Sequence, residues 1–292
     1  MTERSRQTQN SFPSNYLQAL LAFKHLMRIG NCTMGILMVV IGSFAVFQGD
    51  FLDHIELIIP ACIVAFFLMA GGNMINDVFD VEVDRNAHPG RAIPRGIFSG
   101  RFVLFWALSF YAVALFFAAI INLNCFIFAL AAEFLLLFYE LSLKKYPGAG
   151  NIVIGALVGS VFLGTAAAID RWKILTFLGL LAFLINVARE MIKDIEDMEG
   201  DVDRNTFPRS FGVNATLYAA WSILIITVVL FFIPYYPLKL FSGILYLAGM
   251  GAADLVILFA IFSSKKNAEK GQQMLKFAML LALVAFLLGN WV

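Results

Sequence analysis

Long apolar runs alternate with short polar connections along most of the chain. Each run has about the 20 residues that an α-helix needs to cross a hydrocarbon core roughly 30 Å thick. The runs cover residues 26–48, 55–77, 101–121, 123–141, 150–169, 173–196, 212–233, 238–262 and 273–291. The pattern predicts an all-α integral membrane protein, with about nine transmembrane helices in one bundle.

Composition agrees with this class, because 61% of the residues are hydrophobic and only 14% are charged. A net charge of +1 gives no reason to expect a nucleic acid partner. The three cysteines, Cys32, Cys62 and Cys125, lack metal-ligand spacing and are expected to be core thiols. Residues 1–25 lack the pattern of a removable signal peptide, so we assign them as a cytoplasmic segment before a single transmembrane domain, 26–292.

Basic residues are distributed unevenly between the two sides of the predicted bundle. Of the 21 Lys and Arg residues, all but Arg171, Lys173 and Lys239 fall in connections on one side. Cytoplasmic connections retain positive charge, so this side and the amino terminus are predicted to be cytoplasmic in a multi-pass protein of the cell membrane.

Two acidic stretches, 73–84 and 190–201, end the second and sixth predicted helices and form an internal repeat. The first contains Asp77, Asp80 and Asp84, and the second contains Asp194, Asp197 and Asp201. At about 100° per residue, each trio falls within an arc of about 60° on one helix face. We expect two carboxylate stripes that emerge on the cytoplasmic side and face each other.

Carboxylates in this number need a counterion. One Asp at mid-membrane depth costs roughly 2.5–3.5 kcal/mol, so six are expected only where they line a cavity. Oxygen ligands suit Mg²⁺, which shares its coordination with substrate phosphates. An isoprenyl diphosphate matches such a site, because its polar end binds metal while its tail needs apolar walls. The sequence therefore predicts a magnesium diphosphate site.

Both acidic stretches resemble the signatures of a known family. "NMINDVFDVEVDRNAHPGRAIPRG" resembles the first Asp-rich signature of the UbiA superfamily of intramembrane prenyltransferases. "AREMIKDIEDMEGD" resembles the second, in the form of an archaeal branch that makes membrane ether lipids. "MRIGNC" and "LLLFYELSLKKYPGAGN" are similar to the same branch, whereas "VDRNTFPRSFG" departs from the usual Gly-containing run after the second signature.

This resemblance implies a nine-helix bundle around a central chamber. It implies two Mg²⁺ ions held by the six Asp residues, with Asn73 and Asn76 supporting the diphosphate and its metal. The implied reaction transfers a geranylgeranyl group from geranylgeranyl diphosphate to geranylgeranylglyceryl phosphate, a lipid-like phosphorylated acceptor. The products are digeranylgeranylglyceryl phosphate and diphosphate, on the route to archaeal ether lipids.

Two phosphorylated groups require cations. The candidates on the Asp side are Arg28, Arg91, Arg95, Lys144, Lys145, Arg189 and Lys193. Arg28 and Lys193 are preferred because each lies in a family-like segment, although the charge bias of the membrane alone explains bases on this side. Asn31 is expected either to bind a phosphate or to join helices. Tyr139 either stabilises an allylic cation or packs in the core.

Two alternatives stay open. The same metal site serves family members that prenylate aromatic acceptors, such as hydroxybenzoate, or the haem vinyl group. Paired acidic stripes are also compatible with a cation transporter. We expect no acid near the centres of the other spans, which favours a one-sided site over a transmembrane path. The sequence selects no prenyl chain length, general base or oligomeric state.

Overall fold

Helices form every regular element in the residues that the computed structural model describes, which are 12–199, 205–236, 238–241 and 243–289. The α-helices are α1 Phe12–Met27, α2 Ile29–Phe47, α3 Ile55–Phe79, α4 Val81–Ala87, α5 Gly100–Ile121, α6 Leu123–Phe138, α7 Ala149–Ile169, α8 Trp172–Glu196, α9 Phe207–Phe211, α10 Val213–Phe231, α11 Ile244–Ser264 and α12 Ala268–Leu288. Short 3₁₀ turns cover Gln48–His54 and Asp197–Glu199, and a π-helical turn covers Tyr139–Leu143.

The predicted spans are confirmed. Within the described residues, eight stretches are long and apolar enough to cross a membrane, and the first, Ile29–Phe79, contains both α2 and α3. The long helices thus correspond to the predicted apolar runs, with ends that differ by a few residues. The last one begins earlier than predicted, because the side chain of Asn267 caps α12 by accepting from the Lys270 N–H at 2.7 Å. The chain is a multi-pass membrane protein.

The amino-terminal segment contains a helix to which the sequence analysis assigned no element. Helix α1 buries Ala22 and Leu26 in a cluster with Met74 and Ala107, from α3 and α5. It was missed because residues 1–25 were treated together as a polar segment, although Phe12–Met27 carries enough apolar residues for one packed face. The end of α1 therefore lies beside the carboxyl-terminal half of α3.

Close backbone contacts hold the long helices together in pairs, of which α3 with α5, α7 with α8 and α11 with α12 are the most extensive. At the α7–α8 crossing, a Cβ on Gly159 would lie 2.7 Å from the Gly179 carbonyl oxygen. Only glycine permits this approach. The α7–α8 pair places the amino-terminal end of α7 next to the carboxyl-terminal end of α8, where the second acidic stretch begins.

One expectation from the sequence is wrong. Glu133 in α6 and Asp254 in α11 are buried, with exposed fractions of 8% and 6%, and each lies near the middle of its span. The apolar residues on either side tolerate one carboxyl group without interrupting the run, so these acids were overlooked. No hydrogen-bond partner for either oxygen of Asp254 is present in the described part of the chain. The predicted absence of acids near the span centres therefore cannot be used to argue against a transmembrane path.

Candidate active site

The first acidic stretch lies where α3 ends and α4 begins. Helix α3 ends at Phe79, and Asp80 has φ −86° and ψ 3°, so the predicted continuous helical stripe is interrupted at its central residue. The Asp84 N–H still donates to the Asp80 carbonyl oxygen at 2.8 Å. All three carboxylates of this stretch are buried, since Asp77, Asp80 and Asp84 are 7%, 8% and 3% exposed.

Two arginines neutralise the outer carboxylates of this stretch. Arg28 Nη2 donates to Asp77 Oδ1 at 2.8 Å. Arg91 Nη1 donates to Asp84 Oδ2 at 2.6 Å and lies 3.6 Å from Asp77 Oδ1, so one guanidinium serves both carboxylates. Arg28 joins α1 to α2 with a left-handed backbone, φ 50° and ψ 58°. The predicted Arg28 and the weaker candidate Arg91 are therefore both brought to the acidic stretch.

Lys144 neutralises the central carboxylate. Its ammonium group donates to Asp80 and also to Glu140 Oε2, the latter at 2.6 Å. Lys144 follows the π-helical turn, whose i to i+5 hydrogen bond runs from the Lys144 N–H to the Tyr139 carbonyl oxygen at 2.9 Å. The Asn76 amide is satisfied when its nitrogen donates to Glu140 Oε1 at 3.1 Å. Sequence reasoning missed Glu140, because one acid before two lysines looks like an ordinary helix end.

Tyr139 is buried at the first position of the π-helical turn. A Cβ on Gly150 would lie 2.8 Å from the Tyr139 hydroxyl oxygen, so the hydroxyl lies against the first turn of α7. Glycine at this position allows the ring to pack between the end of α6 and the start of α7. The predicted aromatic residue therefore packs against the turn of α7 that also carries Asn151.

The second acidic stretch lies at the carboxyl-terminal end of α8. Asp194 accepts a hydrogen bond from Asn151 Nδ2, in the first turn of α7, at 2.8 Å. Asp197 begins the 3₁₀ turn, and Lys193 Nζ lies 3.1 Å from its Oδ2. Asp201 lies outside the described residues. Asn151 was not selected from the sequence, although it ends the family-like segment that contains Tyr139.

The remaining predicted residues are placed differently. Asn73 Nδ2 donates to the Met27 carbonyl oxygen at 3.0 Å, so it ties the end of α1 to α3. Asn31 is exposed at the start of α2. Lys145 is exposed, and its Nζ lies over the ring of Tyr146, 5.3 Å from the centroid. The last contact directs Lys145 away from the carboxylates that Lys144 contacts.

Residues 139–151 connect the two acidic stretches, because Lys144 reaches Asp80 and Asn151 reaches Asp194. Both stretches therefore lie at one end of the bundle. Across the part of the chain that is described, no three Asp, Glu, His or Cys side chains are close enough together to hold a metal ion. In the first stretch the carboxylates contact Arg28, Arg91 and Lys144 instead. That the two stripes face each other directly stays a prediction.

Comparisons with known proteins agree with this architecture. Residues 36–284 match the model of the UbiA prenyltransferase family. A digeranylgeranylglyceryl phosphate synthase of Thermococcus gammatolerans is 37% identical over 277 residues, which are 92% of this chain and 98% of that protein.

Solved structures show the same fold. A structure of digeranylgeranylglyceryl phosphate synthase in membranes matches with a TM-score of 0.76 and 31% identity, over 93% of this chain and 98% of that one. A UbiA homolog from Archaeoglobus fulgidus, bound to DMAPP and Mg²⁺, matches with a TM-score of 0.65 and 19% identity, over 89% and 98%. The second likeness concerns the fold alone.

Proposed function

The chain belongs to the UbiA prenyltransferase family, and we propose that it transfers a geranylgeranyl group from geranylgeranyl diphosphate to geranylgeranylglyceryl phosphate. One observation carries this proposal: three buried carboxylates at one end of a membrane bundle are each in contact with a base. The Thermococcus relative is similar over nearly its full length. Its name, digeranylgeranylglyceryl phosphate synthase, supports geranylgeranylglyceryl phosphate as the acceptor.

The first acidic stretch is suited to magnesium by its chemistry. Asp77, Asp80 and Asp84 offer buried carboxylate oxygens, the donors that Mg²⁺ prefers. Together with Asp194, Asp197 and Asp201 they would hold two ions. Magnesium, when bound, would stabilise the negative charge that develops on the leaving diphosphate. The Archaeoglobus homolog, which was solved with DMAPP and Mg²⁺, supports this assignment.

The bases at the acidic stretch supply binding and orientation. Arg28, Arg91 and Lys144 are each partly exposed, whereas the carboxylates that they contact are buried. The three side chains are therefore reached by solvent at this end of the bundle, which we take as the opening where a diphosphate would lie. Arginine presents a planar fork that matches two phosphate oxygens at once.

The reaction breaks the allylic C–O bond of the donor, and the electron pair leaves with the diphosphate. The hydroxyl oxygen of the acceptor forms the new ether bond to the allylic carbon, and its proton passes to the departing diphosphate or to an Asp carboxylate of the site. An allylic cation would be trapped by water, so the apolar bundle contributes by excluding it. Tyr139 is buried at the start of the π-helical turn that precedes Lys144, and we propose that its ring stabilises the allylic cation.

We place the amino terminus and the mouth of the site in the cytoplasm. The bases that contact the first acidic stretch belong to the side that the charge distribution predicts to be cytoplasmic. Both substrates carry phosphate groups, which would then remain at the aqueous surface while their chains lie in the bundle or in lipid.

The test uses purified protein, labelled geranylgeranyl diphosphate and Mg²⁺. Geranylgeranylglyceryl phosphate and hydroxybenzoate are offered together, and the labelled product is identified. An ether-lipid product that disappears with chelator is expected. Prenylated hydroxybenzoate alone would leave the family assignment intact and overturn the acceptor, whereas ion flux into liposomes without prenyl turnover would point to transport.

A further inference from the structure

Glu140 is almost completely removed from solvent, although it lies beside the site. Its side chain is 1% exposed, whereas that of Lys144 is 23% exposed. A buried carboxylate is stable only when it is paired and hydrogen-bonded, because its desolvation costs several kcal/mol. Glu140 meets this requirement through Lys144 on one oxygen and, with the Asn76 amide in the orientation that satisfies its own hydrogen bonds, through Asn76 Nδ2 on the other.

We propose that Glu140 is a positioning residue, which fixes the Lys144 ammonium group and the Asn76 amide at the diphosphate-binding end of the site. This inference rests on the proposed function. Glu140 does not face the opening itself, so it acts through the two side chains that it holds. Nothing in its sequence neighbourhood distinguishes it from an acid at a helix end.

Lys144 has two acidic partners. Its ammonium group contacts Asp80 and Glu140 together. If Asp80 turns its oxygens to a metal ion, the attraction between Asp80 and Lys144 weakens. Glu140 remains, and it keeps the ammonium group in place with donor capacity left for a phosphate oxygen. A single carboxylate could not serve the metal and hold the lysine equally well.

The π-helical turn supports this role. Glu140 lies inside the turn Tyr139–Leu143, and Lys144 follows it directly. Single π-helical turns are often found at functional sites. Asn76 lies in the last turns of α3, and its amide also donates to the Gly72 carbonyl oxygen at 3.2 Å. Glu140 therefore connects the end of α6 to the segment of α3 that carries the first acidic stretch.

Glu133 provides a matched control. It lies two turns earlier on the same run of helix, and the whole residue is 8% exposed, which is also the value for the whole of Glu140. One of its carboxylate oxygens, Oε1, has no hydrogen-bond partner within the described residues. Glu133→Gln removes a buried carboxylate from α6 without touching Lys144, so it separates loss of positioning from loss of a buried acid.

The experiment is a double-mutant cycle read by calorimetry, with Mg²⁺ and inorganic pyrophosphate as the probe. Glu140→Gln and Lys144→Met should each weaken pyrophosphate binding about tenfold. Their combination should weaken binding by clearly less than a hundredfold, since Glu140 and Lys144 act as a unit and only the contact of Glu140 with Asn76 remains to be lost in the Lys144→Met background. Glu133→Gln should bind like the unmodified protein. Additive losses, about a hundredfold in the double variant, would overturn the proposal.

Turnover supplies a second readout. Glu140→Asp keeps the charge, so it should recover most of the pyrophosphate affinity lost in Glu140→Gln. In the turnover assay, the KM for the acceptor should stay unchanged in both variants. Should Glu140→Gln not fold, the double variant is compared with Lys144→Met directly, and a further loss of affinity of a full tenfold counts against Glu140. If the unmodified protein binds no pyrophosphate with Mg²⁺, the proposed function itself fails. If it binds and the losses are additive, only Glu140 is wrongly assigned.

Discussion

Arg28 combines a strained backbone with a contact to the acidic stretch. Its positive φ of 50° is a conformation that non-glycine residues adopt at a cost of about 1–3 kcal/mol. The corner turns the chain from α1 into α2 and directs the guanidinium to Asp77. Because glycine would relieve the strain, the presence of arginine indicates that its side chain contributes more than the backbone loses.

We therefore predict that Arg28→Gly and Arg28→Ala separate these two effects. Both variants should raise the KM for the prenyl diphosphate, since both lose the guanidinium. Arg28→Ala should be less stable than Arg28→Gly by about 1 kcal/mol, because only alanine keeps a Cβ in the left-handed region. Thermal unfolding in detergent measures the difference, and equal unfolding temperatures would contradict the role of backbone strain.

The acidic residues should be individually essential. Asp80→Asn and Asp197→Asn each remove a charge with little change in volume, so turnover should fall by about a hundredfold or more at limiting Mg²⁺. The matched control is Glu82→Gln, since Glu82 is exposed in the same stretch and pairs with the exposed Arg85. Full activity of either aspartate variant would count heavily against the metal site.

Lys193 tests the second acidic stretch. Its side chain is 41% exposed and that of its partner Asp197 is 33% exposed, and such exposed ion pairs contribute about 0–1 kcal/mol to the free energy of unfolding. Lys193→Ala should therefore leave the unfolding temperature nearly unchanged while raising the KM of a phosphorylated substrate several-fold, roughly as for one lost charged contact. Unchanged KM values for both substrates would remove Lys193 from the site.

At the scale of the helices, the tight α7–α8 crossing positions Asn151 against Asp194. We predict that Gly159→Ala destabilises the protein by about 1–3 kcal/mol, because its Cβ meets a backbone oxygen that cannot move alone. Gly251→Ala in α11 is the control, since no heavy atom lies within 4 Å of its Cβ position. That control should be neutral or slightly stabilising. Comparable unfolding temperatures for the two variants would refute the close-contact argument.

For the whole molecule, the predicted orientation can be measured with single cysteines. Asp53→Cys and Arg85→Cys both replace exposed residues, on opposite sides of the predicted membrane. A membrane-impermeant maleimide added to intact cells should label Asp53→Cys at once and Arg85→Cys only after permeabilisation. Cys32 and Cys125 are buried and Cys62 is partly buried, so the unmodified protein is labelled in parallel to give the background. The reverse labelling pattern would invert the topology.

The sequence by itself determined the membrane class, the long helices, the two acidic stretches and the family, because these follow from patterns within about 25 consecutive residues. The prediction of Arg28 as a site residue came from such a segment, and the structure places it at Asp77. The break at Asp80 was missed, since a regular helical period was assumed through the end of α3.

Only the tertiary structure decided which side chains meet. Lys144 and Asp80 are 64 residues apart in the chain, Arg28 and Asp77 are 49 apart, and Asn151 and Asp194 are 43 apart. A local pattern carries no information on such pairs, because their contact depends on how helices pack and on where a π-helical turn shifts the register. For the same reason Glu140 and Asn151 escaped notice: their importance lies in the partners that packing brings to them.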